Sequence, residues 1–543
     1  MKDKLTFQNP ILAGFYPDPS ICKAGDDFYL INSTFAYFPG IPVFHSRDLV
    51  SWNQIGNVLD RPGQVDFTGL GVSRAIFAPA IRHHEGIFYI TCTVIDGIGN
   101  FVVTAKDPAG PWSDPVKLPE ILGIDPSLFF DDDGKCYIIY NSDPPDNKSL
   151  YDGHRTIRIN EFDYKNLKAS KENKILINGG VDITKKPVWI EGPHISKVKG
   201  KYFLSAAEGG TSENHSQVIF RSDSVSGPYI PYEKNPILTQ RHLDPKRKNP
   251  VTCTGHADYV ELDDGNWWSI FLGCRPYPPV EKNDYNTGRE TFLAPIRWID
   301  GWPVINPDHD EVMYEYPLPM KISGESRIPL NGNFSIIENF DGSQLDKYWL
   351  FLRTSGEKWY SLSDRKGFLK IDVRPETVTD RLTPSFIGRR QQHINCSINL
   401  SMDFTPKTEN EKSGGILFQD ERYFYYFCKS IHNNEEAVEL YKSKKINDSN
   451  DMELVERAMI SSSSTLYMMI KINGGDISFH YSLKKDEWIL FKDGVDATLL
   501  STKTAGGFVG TIIAMYATSL GSESSNSAYY DWFEYKGNDE TFN

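Results

Sequence analysis

Three acids in the first two hundred residues, Asp18, Asp125 and Glu191, stand in settings similar enough to suggest joint chemistry. Asp18 lies in Gly14-Phe15-Tyr16-Pro17-Asp18-Pro19-Ser20, between two prolines that fix φ and restrict the residue before each. Alone it reads as an ordinary turn aspartate, since Asp and Pro punctuate loops everywhere. Asp125 and Glu191 are likewise followed closely by proline, in Ile124-Asp125-Pro126-Ser127 and Glu191-Gly192-Pro193-His194. Carboxylates without a Cys, Ser-His or phosphate-binding signature point to acid–base hydrolysis. Glycoside cleavage needs two of them, one protonated toward the leaving oxygen and one ionised toward water or the anomeric carbon. Environment must separate their pKa values. Glu191 follows the apolar Val188-Trp189-Ile190, which would keep it protonated, and reads as the general acid. Asp18 reads as the base acting on water. Asp125 reads as the group that orients Glu191 and tunes it by charge.

A repeat is what could bring such distant residues together. Asp18-Pro19-Ser20-Ile21 runs through Gly25-Asp26-Asp27 into Phe28-Tyr29-Leu30-Ile31. The same plan recurs from Phe77-Ala78-Pro79-Ala80-Ile81, Asp125-Pro126-Ser127-Leu128, Glu191-Gly192-Pro193-His194-Ile195 and His256-Ala257-Asp258-Tyr259-Val260. Each unit is an apolar strand, a Gly- or Asp-rich turn and an aromatic strand. The units start roughly 48 to 66 residues apart, a spacing that suits four-stranded propeller blades with long loops. Turns such as His45-Ser46-Arg47-Asp48-Leu49-Val50-Ser51-Trp52 recur before an outer strand. The expected fold is therefore all-β, beginning with a five-bladed β-propeller over residues 1–315. First strands of blades line the axis, so Asp18, Phe77, Asp125, Glu191 and His256 should meet in one cavity.

The repeat ends near Trp302, and residues 316–333 read as a linker. Residues 334–543 show strand-like runs such as Leu466 to Ile472, separated by turns such as Asn473-Gly474-Gly475, and predict a lectin-like β-sandwich. Phe508, between glycines in Ala505-Gly506-Gly507-Phe508-Val509-Gly510, would close one side of the pocket if the sandwich docks on the propeller mouth. Asp341 and Asp531 sit at opposite ends of the sandwich sequence, and pairing of its first and last strands would let them hold a structural Ca²⁺.

Bulk properties narrow the partners. A chain of 543 residues exceeds what one core usually organises. A net charge of −14 argues against nucleic acid and against an anionic membrane surface, which both require a basic face. Aromatic content of 13% suits β structure and sugar stacking. The first residues have no apolar signal-like run, and the seven scattered cysteines have no CxxC spacing, so a cytoplasmic protein without a disulfide framework is expected.

The motifs around Asp18, Asp125 and Glu191 resemble the three signatures of glycoside hydrolase family 43. Gly255-His256-Ala257, Thr287-Gly288-Arg289-Glu290-Thr291, the Phe508 turn and the added sandwich narrow the resemblance to the family's two-domain β-xylosidases. The resemblance implies an inverting exo-β-D-xylosidase that releases xylose from the non-reducing end of short xylo-oligosaccharides, with no cofactor required for chemistry. It implies substrate contacts from Phe35, Phe77, Thr211, His256, Arg289 and Phe508 in a blind pocket for one terminal pentose, and a homo-oligomeric assembly. Phe77 departs from the pattern, because Trp is frequent at that position. Three alternatives stay open: α-L-arabinofuranosidase activity on the same scaffold, a non-catalytic sugar-binding propeller, and a retaining five-bladed glycosidase.

Overall fold

The computed structural model describes residues 6–354, 358–446 and 449–543. Its first part is five antiparallel sheets in chain order, each led by the strand that the repeat identifies. The leading strands are Ser20–Ala24, Ala80–His84, Gly123–Phe130, Glu191–Val198 and Thr252–Glu261. Local sequence explains the hairpins. Glu85-Gly86 and Lys199-Gly200 have positive φ at both positions, the two-residue turn whose twist matches paired strands. At Asp131–Lys135 and Leu262–Asn266 the turn is longer and closes on a left-handed glycine, Gly134 or Gly265. The ring is tied where its ends meet. Thr6–Gln8 pairs with Glu315–Pro317, at the start of the expected linker, and Leu12 bridges to Thr291 of the fifth blade.

Four of the leading strands share an irregularity at the axis. In the first blade Ser33 N–H donates to the Pro17 carbonyl and Ser20 pairs with Ile31, so Asp18-Pro19 oppose the single residue Asn32. Asp125-Pro126 oppose Tyr140, Gly192-Pro193 oppose Ala206, and His256-Ala257 oppose Phe271 in the same two-against-one manner. The first residue of each pair is left-handed, with φ of 50° at Asp18, 55° at Asp125, 57° at Gly192 and 51° at His256. Such bulges re-aim side chains, and left-handed backbone outside glycine is a strain that the surrounding structure must hold. Asp18, Asp125 and His256 are thus equivalent positions, whereas Glu191 stands one residue ahead of its bulge. Phe77 likewise precedes the Ala78-Pro79 irregularity in the second blade.

Two eight-stranded sheets form the second part, packed face to face around Trp349, Leu400, Phe427, Ile470, Met515 and Tyr530. Its first strand, Ser335–Glu338, pairs with its last, Ser527–Gly537. One edge strand comes from the other end of the chain: Tyr37–Phe38 pairs with Leu350–Leu352. Buried arginines join the two parts. Arg275 binds Glu290 through Nε at 2.7 Å and Asp539 through Nη1 at 2.8 Å. Arg353 pairs with Glu421 and donates from Nε to the Leu70 carbonyl at 2.7 Å, while Arg390 donates to the Phe15 carbonyl at 2.6 Å. Of these ion pairs, Arg275–Asp539 is the one that crosses between the parts, and removing either partner would leave a buried charge uncompensated at a cost on the order of 3–5 kcal/mol.

Candidate active site

One cavity of about 340 Å³ opens at the end of the propeller axis. Around it the structure places all three predicted acids, Asp18, Asp125 and Glu191, together with Phe35, Phe77, Thr211, His256, Arg289 and Phe508. Phe508 arrives from the sandwich. Its N–H donates to Ser73 Oγ at 3.0 Å, and its ring stacks on Phe35 at 5.8 Å and meets Phe77 edge-on at 5.7 Å. Gly510 makes this approach achievable: a Cβ there would stand 2.7 Å from the Thr287 carbonyl oxygen, a backbone atom that cannot step aside.

Arg289 joins wall to acid. It donates from Nη1 to Asp18 Oδ1 at 2.9 Å and from Nη2 to the Phe508 carbonyl at 3.3 Å, with both charged side chains buried. Ser33 Oγ donates to Asp18 Oδ2 at 2.7 Å, and His256 Nδ1 lies 3.9 Å from Oδ1. Burial by itself pushes the Asp18 carboxyl up, but Arg289, His256 and Ser33 outweigh it and hold it below the usual carboxylate range. Asp125 differs. Burial, with the Asp18 charge adding to it, raises its pKa to about 6 against the pull of His256, the Gly192 N–H and Arg289. Glu191 is pushed well above the usual range, first by burial and then by the charges of Asp125 and Asp18.

Glu191 is positioned from both sides. Asn141 Nδ2 donates to the Ile190 carbonyl at 2.6 Å, and the Gly192 N–H donates to Asp125 Oδ2 at 3.0 Å. Gly192 also lets the His256 ring lie against its backbone, since a Cβ there would meet the imidazole at 2.8 Å. The arrangement therefore holds one ionised carboxylate and one protonated carboxyl, both buried, in a single pocket.

Several residues of this region escape the motif reading. His215 lines the cavity, hydrogen-bonds through Nδ1 to the Cys253 carbonyl at 2.9 Å, and is lowered to about 4 by burial, hence neutral. Trp189 and Arg155 also line it. Below the acids, one residue from each blade closes the axis. Arg82 donates to Asp258 Oδ2 and to His194 Nδ1, both at 2.8 Å; Ser127 Oγ meets His194 Nδ1 at 2.8 Å; Ser20 Oγ donates to Asp258 Oδ2 at 2.8 Å. The signal was present, because Ser20, Ser127, His194 and Asp258 each directly follow their bulge.

Asp341 and Asp531 do come within electrostatic reach of each other, but Asp403, Arg365 and Lys485 act on Asp531 as well. Among the described residues no group of three or more His, Cys, Asp or Glu is arranged to hold a metal ion.

An axial propeller pocket with two oppositely tuned carboxyl groups, closed by a docked sandwich, defines a glycoside-cleaving enzyme. The chain belongs to glycosyl hydrolases family 43, which residues 7–303 match, while residues 337–536 match the beta xylosidase C-terminal concanavalin A-like domain. It is 39% identical to a xylosidase/arabinosidase of Butyrivibrio fibrisolvens, over 97% of this chain and 98% of that one. It is 35% identical to a non-reducing end alpha-L-arabinofuranosidase of Bacteroides ovatus, over 98% and 95%. Among solved structures, a xylan beta-1,4-xylosidase from Bacillus halodurans superposes with a TM-score of 0.86 at 29% identity, covering 98% of this chain and all of that one. Members of the family need no cofactor for the chemistry.

Proposed function

We propose that this protein is an inverting exo-glycosidase that removes one terminal β-D-xylose from the non-reducing end of short xylo-oligosaccharides. The observation that carries this is the opposite tuning of Asp18 and Glu191 around one pocket at the end of the propeller axis. Asp18 takes a proton from a water as that water attacks the anomeric carbon. Glu191 gives its proton to the glycosidic oxygen as the bond to the leaving sugar breaks. Asp18 ends protonated and Glu191 ionised, and exchange with solvent resets both. Asp125 sustains the proton on Glu191 and anchors the adjacent backbone. Arg289 and His256 keep Asp18 ionised and face sugar hydroxyls, with Thr211 beside them. Phe35, Phe77 and Phe508 form an apolar wall, and about 340 Å³ is near the small end for ligand pockets, which suits one terminal ring.

A second substrate, terminal α-L-arabinofuranoside, is favoured by the names of the Butyrivibrio and Bacteroides relatives. Both sugars are pentoses, and small differences of shape in one pocket decide between them. The kcat/KM values on aryl β-D-xyloside and aryl α-L-arabinofuranoside test the ranking; a much higher value on the arabinoside reverses it.

Three further parts of this proposal have their own supports. Seven free, buried cysteines support a reducing, cytoplasmic setting. The edge strand Ser449–Met459, with Leu454 and Met459 exposed, supports a homo-oligomer, which light scattering tests. A structural Ca²⁺ at Asp341 and Asp531 has only their mutual charge in its favour, and an unchanged melting temperature in chelator rejects it.

A further inference from the structure

The sandwich carries a second cavity of about 320 Å³, on the solvent face of the sheet that holds the chain's last strand, and none of its residues lines the axial pocket. Strand register builds its floor. Ser401 pairs with Trp532 on one side and Tyr467 on the other, so two aromatic side chains flank a buried serine. Their ring centroids are 6.5 Å apart and their planes 35° from parallel. A bulge makes this face. Ser401 pairs with Trp532 but Met402 pairs with Tyr530, so Asp531 is the extra residue. Asp531 and Trp532 are both half-buried, between fully buried Tyr530 and Phe533. Trp488, from the turn between Asp476–Ser482 and Ile489–Asp496, lines the same cavity and is half-buried too.

The polar part of the cavity lies one residue pair further on. Asn399 pairs with Glu534, and its Nδ2 donates to Glu534 Oε2 at 2.6 Å. Asn399 Oδ1 is left buried with no donor among the described residues. Glu534 and Asn399 both line the cavity, so the carboxylate and amide give it a polar edge beside the aromatic rings. Lys485 and Asp486 offset each other at the rim, so the cavity offers no excess positive charge to an anion.

We propose that this face binds a neutral pyranose chain of the xylan type, with sugar rings lying on Trp532, Tyr467 and Trp488 and hydroxyls meeting the accessible edge of the Asn399–Glu534 pair. The choice of xylan rests on the pentosidase function proposed above; the pairing of aromatic rings with a polar amide–carboxylate edge does not.

Native gel electrophoresis of the full chain through soluble xylan tests this, with Trp532→Ala and Trp488→Ala run beside the parent. Aryl xyloside kcat/KM and size-exclusion elution are measured on the same samples. The expected result is retardation of the parent, loss of most of it in both variants, and unchanged kcat/KM and elution. A parent that cleaves the aryl xyloside yet migrates freely through xylan overturns the site alone. Equal retardation of the parent and a folded variant overturns it also, as does a variant that elutes as a smaller assembly, because the face would then be a contact between copies. A parent inactive on the aryl xyloside rejects the catalytic proposal and leaves the retardation comparison standing.

Discussion

Arg289 and Asp18 are joined by a buried hydrogen bond of 2.9 Å, and the same guanidinium reaches across to the Phe508 carbonyl of the other domain. The base and the Phe508 wall are therefore tied to one side chain. Arg289→Ala removes the leading influence that lowers the Asp18 pKa, so that pKa rises. The acid limb of the kcat/KM profile should move to higher pH, with activity at the optimum reduced by about 10²-fold or more. Arg289→Lys should lie between the two, since an ammonium keeps the charge but not the fork. An acid limb that stays in place contradicts this role.

Glu191→Gln removes the proton donor while nearly preserving shape. The loss should be about 10²–10⁴-fold on xylobiose, whose leaving oxygen needs protonation, and far smaller on a dinitrophenyl xyloside, whose leaving group does not. Equal losses on both substrates would assign Glu191 to binding instead.

Asp125 carries a cost in stability. Its pKa is about 6 in the folded protein against 3.8 as the ordinary value. A raised folded pKa means that its contribution is fully present below the ordinary value and is lost as pH rises through 6. Asp125→Asn should therefore stabilise the protein at pH near 8 by up to about 3 kcal/mol, with little difference at pH near 4. The same change withdraws a charge that raises Glu191, so the alkaline limb of the rate profile should shift to lower pH. Thermal melts at the two pH values check the first effect, and a lower melting temperature for the variant at pH 8 contradicts it.

Gly510→Ala tests the closure without touching a catalytic group. Its new methyl meets the Thr287 backbone, at a cost of about 1–3 kcal/mol by overpacking. Displacing the Phe508 turn should raise KM more than it lowers kcat, and Phe508→Ala should do the same. An unchanged KM in both variants would mean that the sandwich does not complete the pocket.

Much of this site can be read from residues that repeat. Asp18, Asp125 and His256 recur in phase because a bulge with a left-handed first residue must occupy the same place in several blades, and Pro or a small residue follows it. Finer placement is not visible at that level. Glu191 looks like the fourth member of the series, yet Gly192 occupies that place, and only strand register separates them by one residue. The axial network is legible only in part: His194 and Asp258 recur two or three places past Glu191 and His256, where a polar residue also fits ordinary strand patterning, while Arg82 lies five places past Phe77 and has no such phase. The loan of Tyr37–Phe38 to the sandwich sheet has no local signature at all: two aromatic residues carry no information about a partner more than three hundred residues away.

The central claim is a single displacement in which Asp18 delivers water opposite a leaving group protonated by Glu191, at a pocket that admits one terminal pentose. Proton NMR during the first minutes of xylotriose cleavage tests it most directly. The account predicts α-xylose as the first monosaccharide signal, appearing together with xylobiose and mutarotating afterwards. First appearance of β-xylose would contradict it.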